Sequence, residues 1–339
     1  MALPYTRKEA KEWAREHFHG VCNILLPSFT TDFKRLNEKA IRHDLRKCVE
    51  FGFWGSLLVA REAGVTFEET REFIDIVTDE RPKGFYLVLH GSFDTLEDTV
   101  EMCNYAAERG VELCLLSYPP NFWPHSGQEI YEWTAEVARR TDIALELFGV
   151  DLWGFRRLDV RDFPYDAVKK ICDLDTVVAF KNELALPGTG AMVEAQRDLA
   201  DKVIICNPLE HQAPGLVANY KTQWMGTSNY EYTADIVPRF FKLMHEDKWD
   251  EAMKLYWQIQ PAREAKSKLH SSHKGAHLLH RNAWKYMAWL NGFNGGLLRM
   301  PQMRLHYDQM QFLRKGLEDS GIKTTSDPDE AFLIGRNPA

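Results

Sequence analysis

Eight short apolar runs, each followed by polar or amphipathic sequence, constrain this chain more than any other feature. They are Val21–Pro27, Gly55–Ala60, Phe85–His90, Leu113–Ser117, Ile143–Phe148, Thr176–Lys181, Val203–Cys206 and Gln223–Thr227. Runs that stay apolar without alternating mark strands covered on both faces, as in a parallel sheet flanked by helices. Between them, Asn37–Phe51, Phe67–Thr78, Leu96–Arg109, Gln128–Arg140 and Thr189–Ala200 carry apolar residues at three-to-four spacing, the stripe of a helix lying on a sheet. Thr66 with Glu69 forms a capping-box signature, and Gly52 and Gly110 fall just past helix ends, where a left-handed residue closes the last turn. Eight strand-then-helix units predict an α/β fold of the (β/α)8 TIM-barrel class, with its chemistry at the carboxyl ends of the strands. No Gly-x-Gly-x-x-Gly follows the first strand, so a dinucleotide-binding open sheet has no support.

The same reading divides the chain. Residues 1–20 hold a polar helix around Lys8–His17, residues 21–245 hold the barrel, and beyond about Met244 the strand signals stop. Residues 246–322 form an all-helical extension, with helices over Trp249–Gln260, Ala262–Leu269, Ala276–Leu290 and Tyr307–Ser320 and a Gly-rich break at Asn291–Gly296; residues 323–339 are polar and are expected to form a loosely held tail. Lys plus Arg total 42 against 49 Asp plus Glu, a net charge of -7. That balance offers no basic footprint for nucleic acid or an anionic membrane. The N-terminal stretch lacks the apolar run of a signal peptide and no later run reaches membrane-spanning length, so the expected location is the cytoplasm. Six cysteines stand singly, without a Cys-x-x-Cys pair, and suggest neither a zinc site nor a disulfide framework. His273, His277 and His280 share a helical face with His270 nearby, but no carboxylate or cysteine completes a ligand set, and no metal is expected.

The sixth run ends in a lysine, in Thr176-Val177-Val178-Ala179-Phe180-Lys181-Asn182-Glu183. Burial disfavours the charged form of an amine, and a free amine at a strand end can attack a carbonyl to begin a Schiff base. The plainer alternative is that Lys181 pairs with Glu183 or Glu146 at a barrel rim.

Further landmarks agree with the first reading. Leu26-Pro27-Ser28-Phe29 follows strand one, Gly52-Phe53-Trp54-Gly55 precedes strand two, Ala106–Glu112 precedes strand four, and Leu298-Arg299-Met300-Pro301 lies in the extension. In their order and spacing these segments resemble the dihydrodipicolinate synthase and N-acetylneuraminate lyase family of class I aldolases, over about Gly20 to Gly321. The resemblance implies that Lys181 forms the imine, that no cofactor or metal is needed, and that the protein is a homo-oligomer, a dimer or tetramer, acting on a small-molecule carbonyl substrate. Two departures stand out. The family's Gly-Thr-Thr-Gly-Glu after strand two reads Ala60-Arg61-Glu62-Ala63-Gly64, and its proton-relaying tyrosine at the end of strand five is Phe148. The second relay tyrosine falls near Asn121-Phe122-Trp123.

Replacement groups are expected at strand ends. Arg61 is a candidate for holding a substrate carboxylate, and Glu62, Glu183 and His90 for moving protons beside Lys181. Ser28, Tyr118, Glu146, Phe148, Asn207, Ser228 and Asn229 complete the expected substrate-facing set. The function this implies is a Schiff-base-forming lyase, of aldolase or hydratase-aldolase type, that breaks or makes a carbon–carbon bond next to a carbonyl. Ten Trp and nineteen Phe favour a bulky or aromatic substrate. Two rivals stay open: a barrel that has lost catalysis and serves in binding or regulation, and a hydrolase or hydro-lyase that uses the same strand ends without an imine.

Overall fold

The computed structural model describes residues 3–184, 189–274 and 279–339. All eight apolar runs are strands: β1 (Gly20–Leu25), β2 (Gly55–Leu58), β3 (Tyr86–Gly91), β4 (Leu113–Leu116), β5 (Ala144–Gly149), β6 (Val177–Asn182), β7 (Ile204–Cys206) and β8 (Trp224–Met225). They form one sheet in the order β7-β6-β5-β4-β3-β2-β1-β8, with a helix after each strand, and the fold is a (β/α)8 TIM barrel followed by C-terminal helices. Three of the interleaved helices, Tyr165–Cys172, Ala213–Tyr220 and Ile236–His245, were not singled out by periodicity. At eight to ten residues they hold two or three turns, too few to set a stripe apart from its surroundings. Among the described residues no helix is long and apolar enough to cross a membrane.

The chain divides into two compact units. The first comprises Met1–His19 and Tyr86–Thr227. Its strands pair in parallel from β3 through β7, and the pairing of β5 with β6 shifts by one residue after Leu145, so that Phe148 lies opposite Lys181 instead of Phe180. The N-terminal helix, Ala10–His17, is tied into this unit. Tyr5 just before it accepts a hydrogen bond from the Ala144 amide at 2.7 Å, the Gln223 amide donates to the carbonyls of Arg15 and Phe18, and the Phe18 ring lies against Trp224.

The second unit comprises Gly20–Phe85 and Ser228–Ala339. Asn23 of β1 lies opposite Ser56 of β2, and the Ser56 hydroxyl donates to Asn23 Oδ1 at 2.6 Å. The helix Phe67–Glu80 opens with the expected reciprocal Thr66–Glu69 capping box. Residues 323–339 are not loose: Phe332 is fully buried against Tyr286 and Trp289, Asp329 accepts from the Tyr286 hydroxyl at 2.7 Å, and Arg336 donates to Asp327. A polar composition suggested a solvated tail, and partners some forty residues earlier in the chain anchor it instead.

Glu231 is buried in the same unit, and its Oε2 has no hydrogen-bond partner among the described residues. Burial pushes its carboxyl up to about 8, against the opposing pull of its backbone hydrogen bonds, of Lys266 and of Asn23. The folded state therefore favours the protonated form, and the stability this gives is lost as pH rises from the ordinary carboxyl range through about 8. Glu231→Gln is expected to flatten the fall in thermal midpoint over that interval, measured by scanning calorimetry of both proteins across it.

Candidate active site

Lys181 sits on β6 one residue before its end, in a layer made by the strand register: Phe148 of β5 lies opposite it on one side and Cys206 of β7 on the other. Its Nζ donates to the Thr227 carbonyl at 2.8 Å, lies 3.1 Å from Glu183 Oε1, and stands 4.1 Å from the centroid of the Phe148 ring. The residue is 4% exposed, whereas the Glu183 side chain is 25% exposed. The amine is thus covered by an aromatic face, which favours a cation, and its carboxylate partner reaches toward solvent. The plainer alternative is visible: the ion pair with Glu183 forms, on an amine placed among inward-facing groups.

One layer deeper lies Glu146, opposite Leu115 of β4 and Ala179 of β6, and fully buried. The Cys206 thiol donates to Glu146 Oε1 at 3.1 Å. Glu146 stands two residues before Phe148 on β5 and so faces the same side as the Phe148 ring over Lys181, inward and not toward the helices. Burial pushes its carboxyl up to about 7, with the Lys181 charge and the Cys206 bond pulling the other way.

His90, opposite Leu115 from the β3 side, is in hydrogen-bond contact with Ser117 through Nε2 at 3.1 Å. Burial and the Lys181 charge push its imidazole down to about 3. That shift favours the neutral imidazole and argues against the proton-carrying role expected of His90. Tyr118 is not in the inner layer. Successive residues of a strand face opposite sides, and with Ser117 turned toward His90, Tyr118 turns outward, its hydroxyl 2.8 Å from Thr134 on the helix Gly127–Arg140. Its ring centres a cluster with Phe122, Trp133, Trp153, Phe155 and Phe163. Asn207 is occupied locally: its amide donates to the Asn182 carbonyl and to Gln212, and its oxygen accepts from the Leu209 amide. These contacts fix the loop after β7 and leave the side chain little to offer a substrate.

The remaining candidates belong to the second unit. Ser28 accepts from Lys285 Nζ at 3.0 Å, and Lys285 also donates to the Pro27 carbonyl. Arg61 and Glu62 lie in the 3-10 turn Arg61–Ala63; Arg61 donates to the Val65 carbonyl at 3.4 Å, and Glu62 is ion-paired with Arg281. A carboxylate held by a guanidinium is a poor base, which argues against the proton-carrying role expected of Glu62. Ser228 donates its backbone amide to the Cys22 carbonyl, while Asn229 is buried with its Nδ2 unpartnered among the described residues. Of the histidines, His270 accepts from the Trp284 indole at 2.6 Å and His280 caps the helix Arg281–Leu290; the side chains of His273 and His277, and the start of the expected helix at Ala276, lie outside the described residues.

Sequence reasoning missed Cys206 and Thr227. Cys206 ends a strand and was open to the same rule that selected His90, but it was weighed only as a metal or disulfide residue. Thr227 contributes a backbone carbonyl, which every residue possesses and no motif can mark.

No family model matches the chain. It is 22% identical over 134 residues to the 4-hydroxy-tetrahydrodipicolinate synthase of Methanopyrus kandleri, a match covering 39% of this chain and 44% of that protein. It is 29% identical over 126 residues to the N-acetylneuraminate lyase of Haemophilus influenzae, covering 36% and 42%. The chain thus spans less than half the length of the curated relatives it matches. Among solved structures, a dihydrodipicolinate synthase of Bacillus anthracis superposes with a TM-score of 0.74 at 14% identity, over 92% of this chain and 99% of that one, a likeness of fold. The chain is similar to a dihydrodipicolinate synthase and to an N-acetylneuraminate lyase. The two departures noted in the sequence have a concrete form: a ring without a hydroxyl, Phe148, faces the lysine, and the run Ala60–Gly64 carries an ion-paired carboxylate.

Proposed function

We propose that this protein is a Schiff-base-forming lyase of the class I aldolase type, which breaks or makes a carbon–carbon bond next to the carbonyl of a small molecule. The observation that carries the reading is the Lys181 amine, buried on the inner face of β6 beneath the Phe148 ring with a solvent-reaching carboxylate at 3.1 Å. A carbonyl carbon bonding to Nζ must part the amine from Glu183, and that side chain is exposed enough to rehydrate as it leaves. The Phe148 face stays over the nitrogen and favours the positive charge of a protonated imine. Withdrawal of electrons by that imine is what loosens the neighbouring carbon–carbon bond. Trp153 stands edge-on to Phe148 at 5.6 Å and holds its carbonyl through the indole N–H, so that two rings make an aromatic wall beside the lysine. That wall supports a bulky or aryl substrate half. A cytoplasmic homo-oligomer belongs to the same reading.

Borohydride trapping tests it. The protein is incubated with pyruvate, benzaldehyde or acetophenone, reduced, digested and read by mass spectrometry. The expected result is an adduct on the peptide containing Lys181 with at least one probe. Adducts confined to exposed lysines would leave Lys181 as the structural partner of Glu183 and end the proposal.

A further inference from the structure

Two buried polar atoms near Lys181 have no hydrogen-bond partner among the described residues: Glu146 Oε2 and the Thr227 hydroxyl. Glu146 is entirely inaccessible, its other oxygen is held by Cys206, and it lies on the inner face one layer below the amine. A purely structural carboxylate at such a depth would be expected to have both oxygens satisfied, because leaving one bare costs free energy without return. The Thr227 carbonyl already receives the Lys181 ammonium, so the second bare atom belongs to a residue that touches the amine. We propose that Glu146 is the proton carrier of the site, passing protons to and from the groups that react at Lys181, with Cys206 fixing the orientation of its carboxyl. The proposal rests on the reading of Lys181 as the imine-forming amine.

The steps balance with two carboxyls. With its ammonium proton passed to the Glu183 carboxylate at 3.1 Å, the amine nitrogen bonds to the carbonyl carbon, the C=O π pair moves to oxygen, and a second nitrogen proton follows it there. The Glu146 acid then gives its proton to that hydroxyl, which leaves as water, and the nitrogen lone pair closes the protonated imine above a Glu146 carboxylate. In cleavage the substrate's distal hydroxyl gives its proton to this carboxylate, the carbon–carbon pair moves toward the imine nitrogen, and an aldehyde departs from an enamine. Glu146 ends as the acid with which it began. The charged and titratable groups around it are Lys181 and Glu183 on and after β6, Cys206 on β7 and Cys114 on β4. Its poise near neutrality reflects burial against the Lys181 charge.

Glu146→Gln keeps the shape and the contact with Cys206 but carries no proton. It is expected to slow trapping of the Lys181 adduct by about 100-fold and to remove the pH dependence of trapping centred near 7. Unchanged rate and pH profile in Glu146→Gln, beside a wild type that traps, would overturn this role and leave the lyase reading intact. Absence of any wild-type adduct would overturn the lyase reading instead. A second measurement keeps the role testable whatever the variant's folding: infrared titration of the wild-type protein with isotope-labelled glutamate, in which a protonated buried carboxyl should disappear as pH rises through about 7. A Glu146 that stays ionised well below that point contradicts the role directly.

Discussion

Lys181→Ala is expected to lower turnover of whichever carbonyl compound the wild type traps fastest by about four orders of magnitude, and to abolish the reduced adduct on that peptide. Removing a nucleophile removes the covalent route itself, which no neighbour can restore: the Phe148 ring has no nucleophilic atom and the Thr227 carbonyl has no proton. Lys181→Arg should fall as far, since a guanidinium keeps the charge but does not form the imine. The loss should be one of chemistry rather than folding. Without the ammonium, Glu183 is exposed enough to hydrate, and Glu146, deprived of a positive neighbour, is pushed further toward its neutral form. Both carboxyls thus find an inexpensive state, and the circular dichroism spectrum and thermal midpoint should stay close to wild type. Substantial turnover in Lys181→Ala would point to a reaction that does not pass through an imine.

Lys285→Met is expected to cost stability, by about 3–5 kcal/mol near pH 8. Lys285 is buried on the helix Arg281–Leu290, donates to the Pro27 carbonyl and the Ser28 hydroxyl, and compensates the charge of Asp44. Asp44 is equally buried and accepts from the Asn294 amide at 2.5 Å. Burial pushes the Asp44 carboxyl up and the Lys285 amine down, and each charge restrains the shift of the other. With the lysine gone, the carboxylate is stranded unless it takes a proton. The raised folded-state affinity for that proton means that the deficit shrinks as pH falls and grows as pH rises. Denaturant unfolding across pH tests the sign, and Asp44→Asn combined with Lys285→Met should recover most of the loss. A deficit independent of pH, or one the double variant does not relieve, would show that packing and not charge sets the cost.

Much of the barrel could be read directly. Each of the eight apolar runs became a strand because a strand buried on both faces leaves an unbroken signature in one dimension. The capping box at Thr66 and the left-handed residues Gly52 and Gly110 are equally local, each fixed by the backbone conformation of a few consecutive residues. The site was legible in part. Lys181 and its neighbour Glu183 were both named, and their ion pair was foreseen as one of two readings. Tyr118 shows the limit of selecting residues by strand end alone, since one step along the chain from Ser117 reverses the face. His90 was chosen for the ordinary titration range of histidine, which holds in water; enclosure beside a cation removed that property.

Sequence alone determined the strand count, the alternation with helices and the lysine on the sixth strand, because each depends on residues adjacent in the chain. The tertiary structure decided what that lysine meets. A one-residue shift in the pairing of β5 with β6 places Phe148, and not a neighbour, beside Lys181, and a thiol from β7 crosses β6 to reach Glu146. Register and proton affinity depend on atoms brought together from far along the chain, so neither is encoded in any short stretch of it.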